Sequence, residues 1–421
     1  MSRQSKTKPN SEKAKATVDY REKLTAIKSE MADDWRLLRP DTREKFTPYG
    51  YLALDYGLRL QGLAGNGRVV HTHGPEGGGK STAAYCIASK YQRQVGRPVA
   101  IFDYERTLSN EYVEALGLDK DLLIIYRPDS IETGVRLTMK LIEEYGVGLC
   151  IYDSIPRMTP TVDPKLIENG KAFKDSVGRH ARSMQFNFYD ILLPHWSRLD
   201  VNVIMINQTR ARIDSSQAAM WAQKYPSFTN LSYVLPGGKA NRHAASVMLE
   251  LTTKKAFRAG SFDGDDFVIE PGDKKGRFVA VQSAARVLKN KVTAGGYRAA
   301  DLWFRPGRGI DDNITIRQLA RQYGLIASTG KRWYVGENAD NAIKVYDAKD
   351  AAIEDLVVRS NPDVLLPLRK LVIAKIEADK DGFNIDVEDG LAKYLDGDET
   401  GDADIDAVTA NVLAPPDEEL I

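Results

Sequence analysis

The stretch HTHGPEGGGKSTAAYC, residues 71–86, joins two segments whose sequence patterns differ. The residues leading into it, GRVVHTH, predict a strand, because the run is short and contains β-branched residues. The residues leaving it, KSTAAYCIASKYQRQ, contain neither proline nor glycine and predict a helix. Four glycines lie between them, where they permit backbone conformations that other residues avoid. A glycine linker is the alternative, but a linker is not expected between a buried strand and a helix.

The alternation of strand and helix continues from about residue 49 to residue 292. Strand-like segments are GRVVHTHG, PVAIFDYE, LLIIYRP, VGLCIYDS and VNVIMINQTR, with helix-like segments between them. Several strands are near-continuous apolar runs, which is typical of strands buried on both faces of a parallel sheet. We therefore expect an α/β fold with a doubly wound, mostly parallel sheet, whose functional groups cluster at the carboxyl ends of the strands.

The composition is that of a globular protein with two or three domains, since the chain has 421 residues, 43% of them hydrophobic. The net charge is only +1, so any basic surface for nucleic acid must be local. Two distant cysteines, Cys86 and Cys150, exclude a four-cysteine zinc module and indicate a reducing compartment. The sequence has no membrane-length apolar run and no signal peptide, so we expect a soluble cytoplasmic protein.

Five segments are expected along the chain. They are a disordered basic N-terminus (1–16), a helix–strand arm (17–48), the α/β core (49–295), a small α+β C-terminal domain (296–395) and an acidic disordered tail (396–421). The arm is predicted from Leu24, Ile27 and Met31, whose spacing is helical. The tail carries nine acidic residues and no basic one, which favours a solvated segment.

The glycine-rich stretch from Gly74 to Ser81 has the eight-position pattern of a phosphate-binding P-loop. Backbone amides turned towards a ligand and the amino end of the following helix both favour a phosphate. We expect Lys80 to reach the β- and γ-phosphates of a nucleotide and Ser81 to bind Mg²⁺. Hydrolysis also requires a second metal partner and a group that activates water.

Polar side chains stand at three further strand ends. Asp153 ends CIYD, where it suits a Mg²⁺ site, although an aspartate there can also cap the next turn. Glu105 ends AIFDYE, where it would polarise an attacking water, although strand ends often carry exposed acids. Asn207 and Gln208 end VIMINQ, and an amide there can sense a γ-phosphate. Because the carboxyl ends of parallel strands meet at one edge, these groups are expected to face one ligand.

These residues resemble the RecA family of bacterial recombinases and their phage relatives. The motifs in order are GPEGGGKST, AIFDYERTLSNEYVEALG, LCIYDS, KDSVGRHARSMQ, INQTRARI, LPGGKANRHAASVMLEL and VLKNKV. The resemblance covers nearly the whole chain and implies a RecA-like P-loop ATPase core. It implies nucleotide contacts at Gly74, Pro75, Glu76, Gly77, Gly78, Gly79, Lys80, Ser81, Thr82, Tyr112 and Asp153, with Mg²⁺ held by Ser81 and Asp153.

The resemblance also implies catalytic roles. Beside Lys80, Glu105 would activate water and Gln208 would sense the γ-phosphate; Tyr112, if it is not a core aromatic, would stack on adenine. The pair Lys289 and Lys291 in KNK matches lysines that, in the family, reach the ATP site of the neighbouring protomer. Without the other motifs, KNK would be interpreted as a basic turn.

Two segments are expected to bind DNA, one around Arg157 to Arg182 and the other from Thr209 to Asn241. The candidate contacts are Arg179, Arg182, Arg210, Arg212, Gly237, Gly238 and Lys239. Four aromatic residues lie within the second segment: Trp221, Tyr225, Phe228 and Tyr233. Aromatic residues interleaved with basic ones suit single-stranded nucleic acid, although some of them would instead pack the loop against its own protein. This segment is longer than expected for bacterial RecA.

The resemblance implies an ATP-dependent recombinase with ATP and Mg²⁺ as cofactors. Its partners would be single-stranded DNA, homologous duplex DNA and further copies of itself in a helical filament, with no membrane. The alternatives are a hexameric RecA-fold helicase motor and a DNA-coating filament or mediator protein with weak ATPase. The lysine pair and the N-terminal arm argue against the helicase, and intact Lys80, Ser81, Glu105 and Asp153 argue against the non-catalytic filament. The acidic tail either competes with DNA for basic surface or only solubilises the chain.

Overall fold

The structure is a computed structural model. The residues that it describes are 29, 45–162, 176–211, 233–258, 262–263, 266–267, 278–293, 298–347 and 361–378. The chain divides into two units, Met1–Arg43 and Glu44–Ile421. The first unit holds one described residue, and everything below concerns the second. The predicted N-terminus, most of the predicted arm and the acidic tail lie outside the described residues.

The elements of the described residues follow the predicted alternation of strand and helix. The strands are β1 (Phe46–Thr47), β2 (Leu63–Ala64), β3 (Val69–Gly74), β4 (Val99–Asp103), β5 (Leu123–Tyr126), β6 (Leu149–Asp153), β7 (Asn202–Gln208), β8 (Arg210–Ala211), β9 (Tyr233–Val234), β10 (Ala245–Arg258), β11 (Phe262–Asp263), β12 (Asp266–Phe267), β13 (Phe278–Asn290), β14 (Ala299–Arg305), β15 (Gly309–Ile310), β16 (Ile326–Thr329), β17 (Arg332–Gly336) and β18 (Ala342–Tyr346). The α-helices are α1 (Lys80–Val95), α2 (Asn110–Ala115), α3 (Ile131–Glu144), α4 (Ser176–Ser183), α5 (Asp190–Arg198), α6 (Gly238–Ala244), α7 (Asp312–Gln322) and α8 (Pro362–Ala378). Two π-helical segments span Ala53–Gly57 and Met184–Tyr189, and a 3-10 turn spans Ile155–Arg157.

Nine of these strands form the central sheet, in the order β15-β14-β13-β10-β3-β7-β6-β4-β5. The six strands from β10 to β5 are parallel, and β13, β14 and β15 add antiparallel pairs at one side. The prediction of an α/β fold with a mostly parallel sheet is confirmed. The strands are parallel because helices return the chain to the same end of the sheet each time.

Both faces of the sheet are covered by apolar side chains. Along β6, Ile151 packs in one cluster with residues of α1, whereas Cys150 and Tyr152 pack in the other with residues of α3 and α5. Successive side chains of a strand point to opposite faces, so a strand between two helical layers must be apolar at nearly every position. Cys86 and Cys150 are both buried and free. Within the described residues, no helix combines the length and apolarity needed to cross a membrane.

The register of the parallel strands aligns their carboxyl ends. Gly74 at the end of β3 pairs with Gln208 on β7, and Asp103 at the end of β4 pairs with Asp153 on β6. The strands β3, β7, β6 and β4 are consecutive neighbours in the sheet. The glycine-rich loop, Gln208, Asp153 and the residues after Asp103 therefore share one edge.

The segment after residue 296 contributes to two parts of the fold. Strands β14 and β15 extend the central sheet, a feature that the predicted domain boundary at 295/296 did not anticipate. The later elements, α7, β16 to β18 and α8, surround a separate apolar cluster that also contains Leu52 and Tyr56. The extra sheet strands arise because Leu302 and Phe304 of β14 pack with the core beside α1.

A buried ion pair joins α7 to α8. The Asp312 carboxylate accepts a hydrogen bond from the Leu52 amide at 3.0 Å and lies 2.9 Å from Nη1 of Arg369. Burial raises the pKa of Asp312, and the Arg369 guanidinium is the strongest opposing influence. Removing one partner of such a pair leaves an uncompensated buried charge, which is costly.

We expect Arg369→Leu to lower the free energy of unfolding by about 3 kcal/mol at neutral pH. The variant raises the folded-state pKa of Asp312 further, so folded protein binds a proton more tightly than unfolded protein. The deficit should therefore shrink as the pH falls. Urea unfolding at pH 7.5 and pH 5.5 measures both effects.

The matched control is Arg332→Leu, because Arg332 and Asp347 form an exposed pair separated by 3.8 Å. It should cost about 0.5 kcal/mol or less at either pH. Equal losses of unfolding free energy in the two variants would show that the buried pair of Asp312 and Arg369 stabilises the fold no more than the exposed pair does.

Candidate functional site

The glycine-rich loop between β3 and α1 is shaped by close backbone contacts. Gly74 has φ +151° and Gly79 has φ +84°, conformations that L side chains rarely adopt. A Cβ at Gly74 would overlap the carbonyl oxygen of Leu251, and one at Gly79 would lie 2.6 Å from the ring of Phe304. These two glycines are therefore required by the fold, while Pro75, Glu76 and Gly77 are exposed to an incoming ligand. The loop ends on the amino terminus of a 16-residue helix, which favours an anion.

Lys80 is buried at the base of the loop. Its ammonium group donates a hydrogen bond to the carbonyl oxygen of Pro75 at 2.6 Å. Burial lowers the pKa of Lys80, and the carboxylates of Asp153, Glu105 and Glu76 oppose that shift. A buried cation beside exposed backbone amides is a suitable partner for the phosphates of a nucleotide.

Asp153 and Ser81 meet directly beside Lys80. The Tyr85 hydroxyl donates a hydrogen bond to the Asp153 carboxylate at 2.7 Å. Burial raises the pKa of Asp153, and the nearby hydroxyls of Ser81 and Tyr85 oppose the rise. A hydroxyl and a carboxylate are the oxygen ligands that Mg²⁺ prefers, so the pair fits this cation.

Glu105 and Gln208 are in contact, although 103 residues separate them. The Gln208 side-chain amide donates to Oε1 of Glu105 at 3.0 Å, and the Ser154 hydroxyl donates to the same oxygen. Glu105 is only partly buried, and both of these hydrogen bonds engage the same one of its two carboxylate oxygens. The arrangement links an acid that can polarise water to an amide at the root of the segment 209–241.

Tyr112 lies on α2 at the other side of the loop. Its hydroxyl is 2.6 Å from Oγ1 of Thr82, and its ring meets the ring of Tyr85 edge to face, with centroids 6.4 Å apart. Tyr112 is half-buried, so part of the ring remains accessible beside the phosphate loop.

Lys289 and Lys291 lie at the opposite end of the sheet from the glycine-rich loop. The amide of Lys291 donates to the carbonyl of Ser246, level with the start of β3. That position is roughly 15 Å along the sheet from Gly74 at 3.3 Å per residue. The Lys289 ammonium group donates to the carbonyl oxygen of Arg242. Burial, followed by the charges of Lys291 and Arg242, lowers the pKa of Lys289 to about 8.

Lys291 is exposed and lines a cavity of about 390 Å³ at this end of the sheet. Arg68 and His243 line the same cavity. Within one chain, the lysine pair and the phosphate loop are therefore not brought together.

The described DNA-contact candidates come from neighbouring elements. A Cβ on Gly238 would lie 3.0 Å from Ala181, so α6 begins against α4. The charge of Arg210 contributes, after burial, to the lowered pKa of His180 on α4. The exposed candidates are Arg182, Arg210 and Lys239, whereas Arg179 and Gly238 are partly buried and Gly237 is buried. Arg212, Trp221, Tyr225 and Phe228 lie outside the described residues.

Two polar partners of the site were not identified from the sequence. Ser154 follows Asp153 directly, and its hydroxyl contacts Glu105. Tyr85 follows Ser81 by four residues, a spacing that brings two side chains to one face of a helix. The spacing of Ser81 and Tyr85 could have been recognised in the sequence. The contact of Ser154 could not, because it depends on the position of Glu105 in the fold.

The sequence of this chain is similar to those of known proteins. Residues 39–311 match the family model described as the RecA N-terminal domain. The chain is 29% identical over 338 residues to Protein RecA of Salinispora arenicola, which covers 80% of this chain and 85% of that protein. It is 30% identical over 299 residues to Protein RecA of Lactococcus lactis subsp. cremoris, which covers 70% of this chain and 69% of that protein. Since the family model matches more than half of the residues, the chain belongs to the RecA family.

Proposed function

We propose that this chain is an ATP-dependent DNA recombinase that assembles on single-stranded DNA and pairs it with a homologous duplex. The observation that carries the proposal is the contact between Glu105 and Gln208 beside Lys80 and the glycine-rich loop. It connects a group suited to activating water with the root of the segment expected to bind DNA. An ATPase whose turnover responds to DNA needs such a connection.

In this proposal, the loop amides and Lys80 bind the phosphates of ATP, and Tyr112 offers its accessible ring face to the adenine. Ser81 and Asp153 would hold Mg²⁺, which supplies positive charge to the phosphate oxygens when bound. Glu105 accepts a hydrogen bond from the attacking water through its second carboxylate oxygen. Removing water from the closed site strengthens each of these electrostatic interactions.

Gln208 acts as the sensor in this scheme. Its amide donates to Glu105, and a γ-phosphate oxygen would compete for the same donor. A change of partner would free the Glu105 carboxylate and displace the start of the segment 209–241. The bound nucleotide would then alter the affinity for DNA, because it would change which conformation of that segment is most populated.

The separation of Lys289 and Lys291 from the chain's own phosphate loop supports a site shared between protomers. Heterologous contacts of this kind generate open helical filaments unless the rotation between protomers closes a ring. The two lysines of one protomer would add positive charge at the phosphates bound by the next, as an arginine finger does. We extend the proposal to the acidic tail, 396–421, as a salt-sensitive competitor for the basic DNA surface.

Electron microscopy of the protein with single-stranded DNA and a non-hydrolysable ATP analogue tests the proposed assembly. We expect right-handed helical filaments that require both ligands. Closed six-membered rings would favour the helicase motor instead, and unassembled protein would exclude both.

The substitution Glu105→Gln should abolish most DNA-stimulated ATP turnover while ATP and DNA binding persist. Loss of general-base assistance costs about 10²- to 10⁴-fold in rate. A coupled ATPase assay and anisotropy of labelled DNA measure the two properties. Glu111→Gln is the control, because Glu111 is an exposed glutamate in the first turn of α2. Retained turnover in Glu105→Gln would remove this residue from its proposed role.

A mixing experiment tests the shared site. Lys80→Ala and Lys291→Ala should each be inactive alone. In an equal mixture, about one quarter of interfaces combine an intact loop with an intact neighbouring lysine, so about a quarter of wild-type turnover should return. Turnover equal to the mean of the two single variants would show that the lysine pair serves no neighbouring site.

A further inference from the structure

Tyr233 stands at the C-terminal root of the segment expected to bind DNA. Strands β8 and β9 close this segment, with Ala211 paired to Tyr233. The Tyr233 hydroxyl lies 2.8 Å from Nε2 of His73, and the two ring centroids are 5.7 Å apart. His73 is fully buried on β3 and immediately precedes Gly74. Tyr233 is therefore directed into the protein rather than towards a base.

The Tyr233 hydroxyl lies beside a buried ion pair. The Glu250 carboxylate is close enough to raise the pKa of Tyr233, after the larger effect of burial. The same carboxylate accepts a hydrogen bond from Nε of Arg286 at 2.8 Å. Tyr233 and His73 therefore meet next to the pair that joins β10 to β13.

Burial, reinforced by the charge of His71, holds the pKa of His73 well below its ordinary value. The ring therefore stays neutral near pH 7, and a neutral ring has one donor and one acceptor nitrogen.

A second attachment lies three residues further along. The buried Asn207 side chain donates to the carbonyl of Pro236 at 3.0 Å, and its Oδ1 accepts from the amide of Gln208 at 2.9 Å. The amide of Thr209 donates to the carbonyl of Gly74 at 3.2 Å. Both roots of the segment 209–241 are thus fastened to the ends of β3 and β7, where the phosphate loop and the sensor begin.

We propose that Tyr233 is a positioning residue that transmits occupancy of the segment 209–241 to the phosphate-loop strand through its hydrogen bond to His73. The inference rests on the proposed function, since it requires that the segment binds DNA. Tyr233 is not among the residues proposed to bind the nucleotide or to activate water. Its hydroxyl holds the root of the segment in one position, so that a displacement caused by DNA reaches Gly74 and Gln208 instead of being absorbed locally.

Removing the hydroxyl tests this role. In Tyr233→Phe, turnover without DNA and affinity for single-stranded DNA should equal those of the wild type. Turnover at saturating DNA and ATP should fall by about fivefold, a coupling loss of ordinary size. The control is Tyr145→Phe, which removes a hydroxyl from a tyrosine that is 56% exposed. It should retain full stimulation.

A pair of substitutions at His73 separates hydrogen bonding from packing. His73→Gln retains a side-chain N–H at a similar reach and should keep most of the stimulation. His73→Leu keeps apolar volume without a donor and should lose stimulation to the same extent as Tyr233→Phe. Equal stimulation in Gln and Leu variants would overturn the role of the hydrogen bond, as would full stimulation in Tyr233→Phe.

The state of His73 provides a measurement that does not depend on DNA. Histidine labelled with ¹⁵N should show one ring, absent from His73→Gln, that stays neutral at pH 7. In Tyr233→Phe, the Nε2 signal of this ring should shift. An unshifted signal would refute the hydrogen bond between Tyr233 and His73, whatever the function. Absence of DNA stimulation in the wild type would instead refute the proposed function, and the coupling role with it.

Discussion

The parallel pairing of β3, β7, β6 and β4 is the constraint on which the candidate site depends. Gly74 pairs with Gln208, and Asp103 pairs with Asp153. This register aligns the ends of the strands, so the polar residues at those ends lie at the same edge of the sheet. A shift of one residue in any pair would send each side chain of the shifted strand to the opposite face. The apolar layers on both faces of the sheet oppose such a shift, because nearly every residue of these strands is buried.

This constraint also determines the electrostatics of the site. Lys80 is buried near three carboxylates, and Asp153 is buried near the hydroxyls of Ser81 and Tyr85. Each charge is expensive to bury alone, and each is offset by a partner delivered by a different strand or helix. An incoming phosphate and cation would enter a site whose charges already have opposite-sign neighbours, so little reorganisation is needed.

The sequence predicted that the main residues of the candidate site would lie at one edge of the sheet, for a simple reason. Glu105, Asp153 and Gln208 each follow an apolar run, and the carboxyl ends of neighbouring parallel strands must converge. Their contacts could not be predicted, because a 3.0 Å hydrogen bond depends on rotamers and on strand order. The same limit applies to Tyr233: its sequence context left both base stacking and packing open, and only its distance to His73, 160 residues away, decides for packing.

The sequence by itself determined the alternation of strands and helices, the phosphate loop and the family, since each is encoded in local patterns of apolar residues and glycine. Tertiary structure alone decided that Gln208 contacts Glu105, that β14 and β15 extend the central sheet, and that Lys291 lies at the far end from Gly74. Local patterns specify which elements form. The order and direction in which those elements pair depend on the burial of side chains distant in sequence, and that burial exists only in the folded chain.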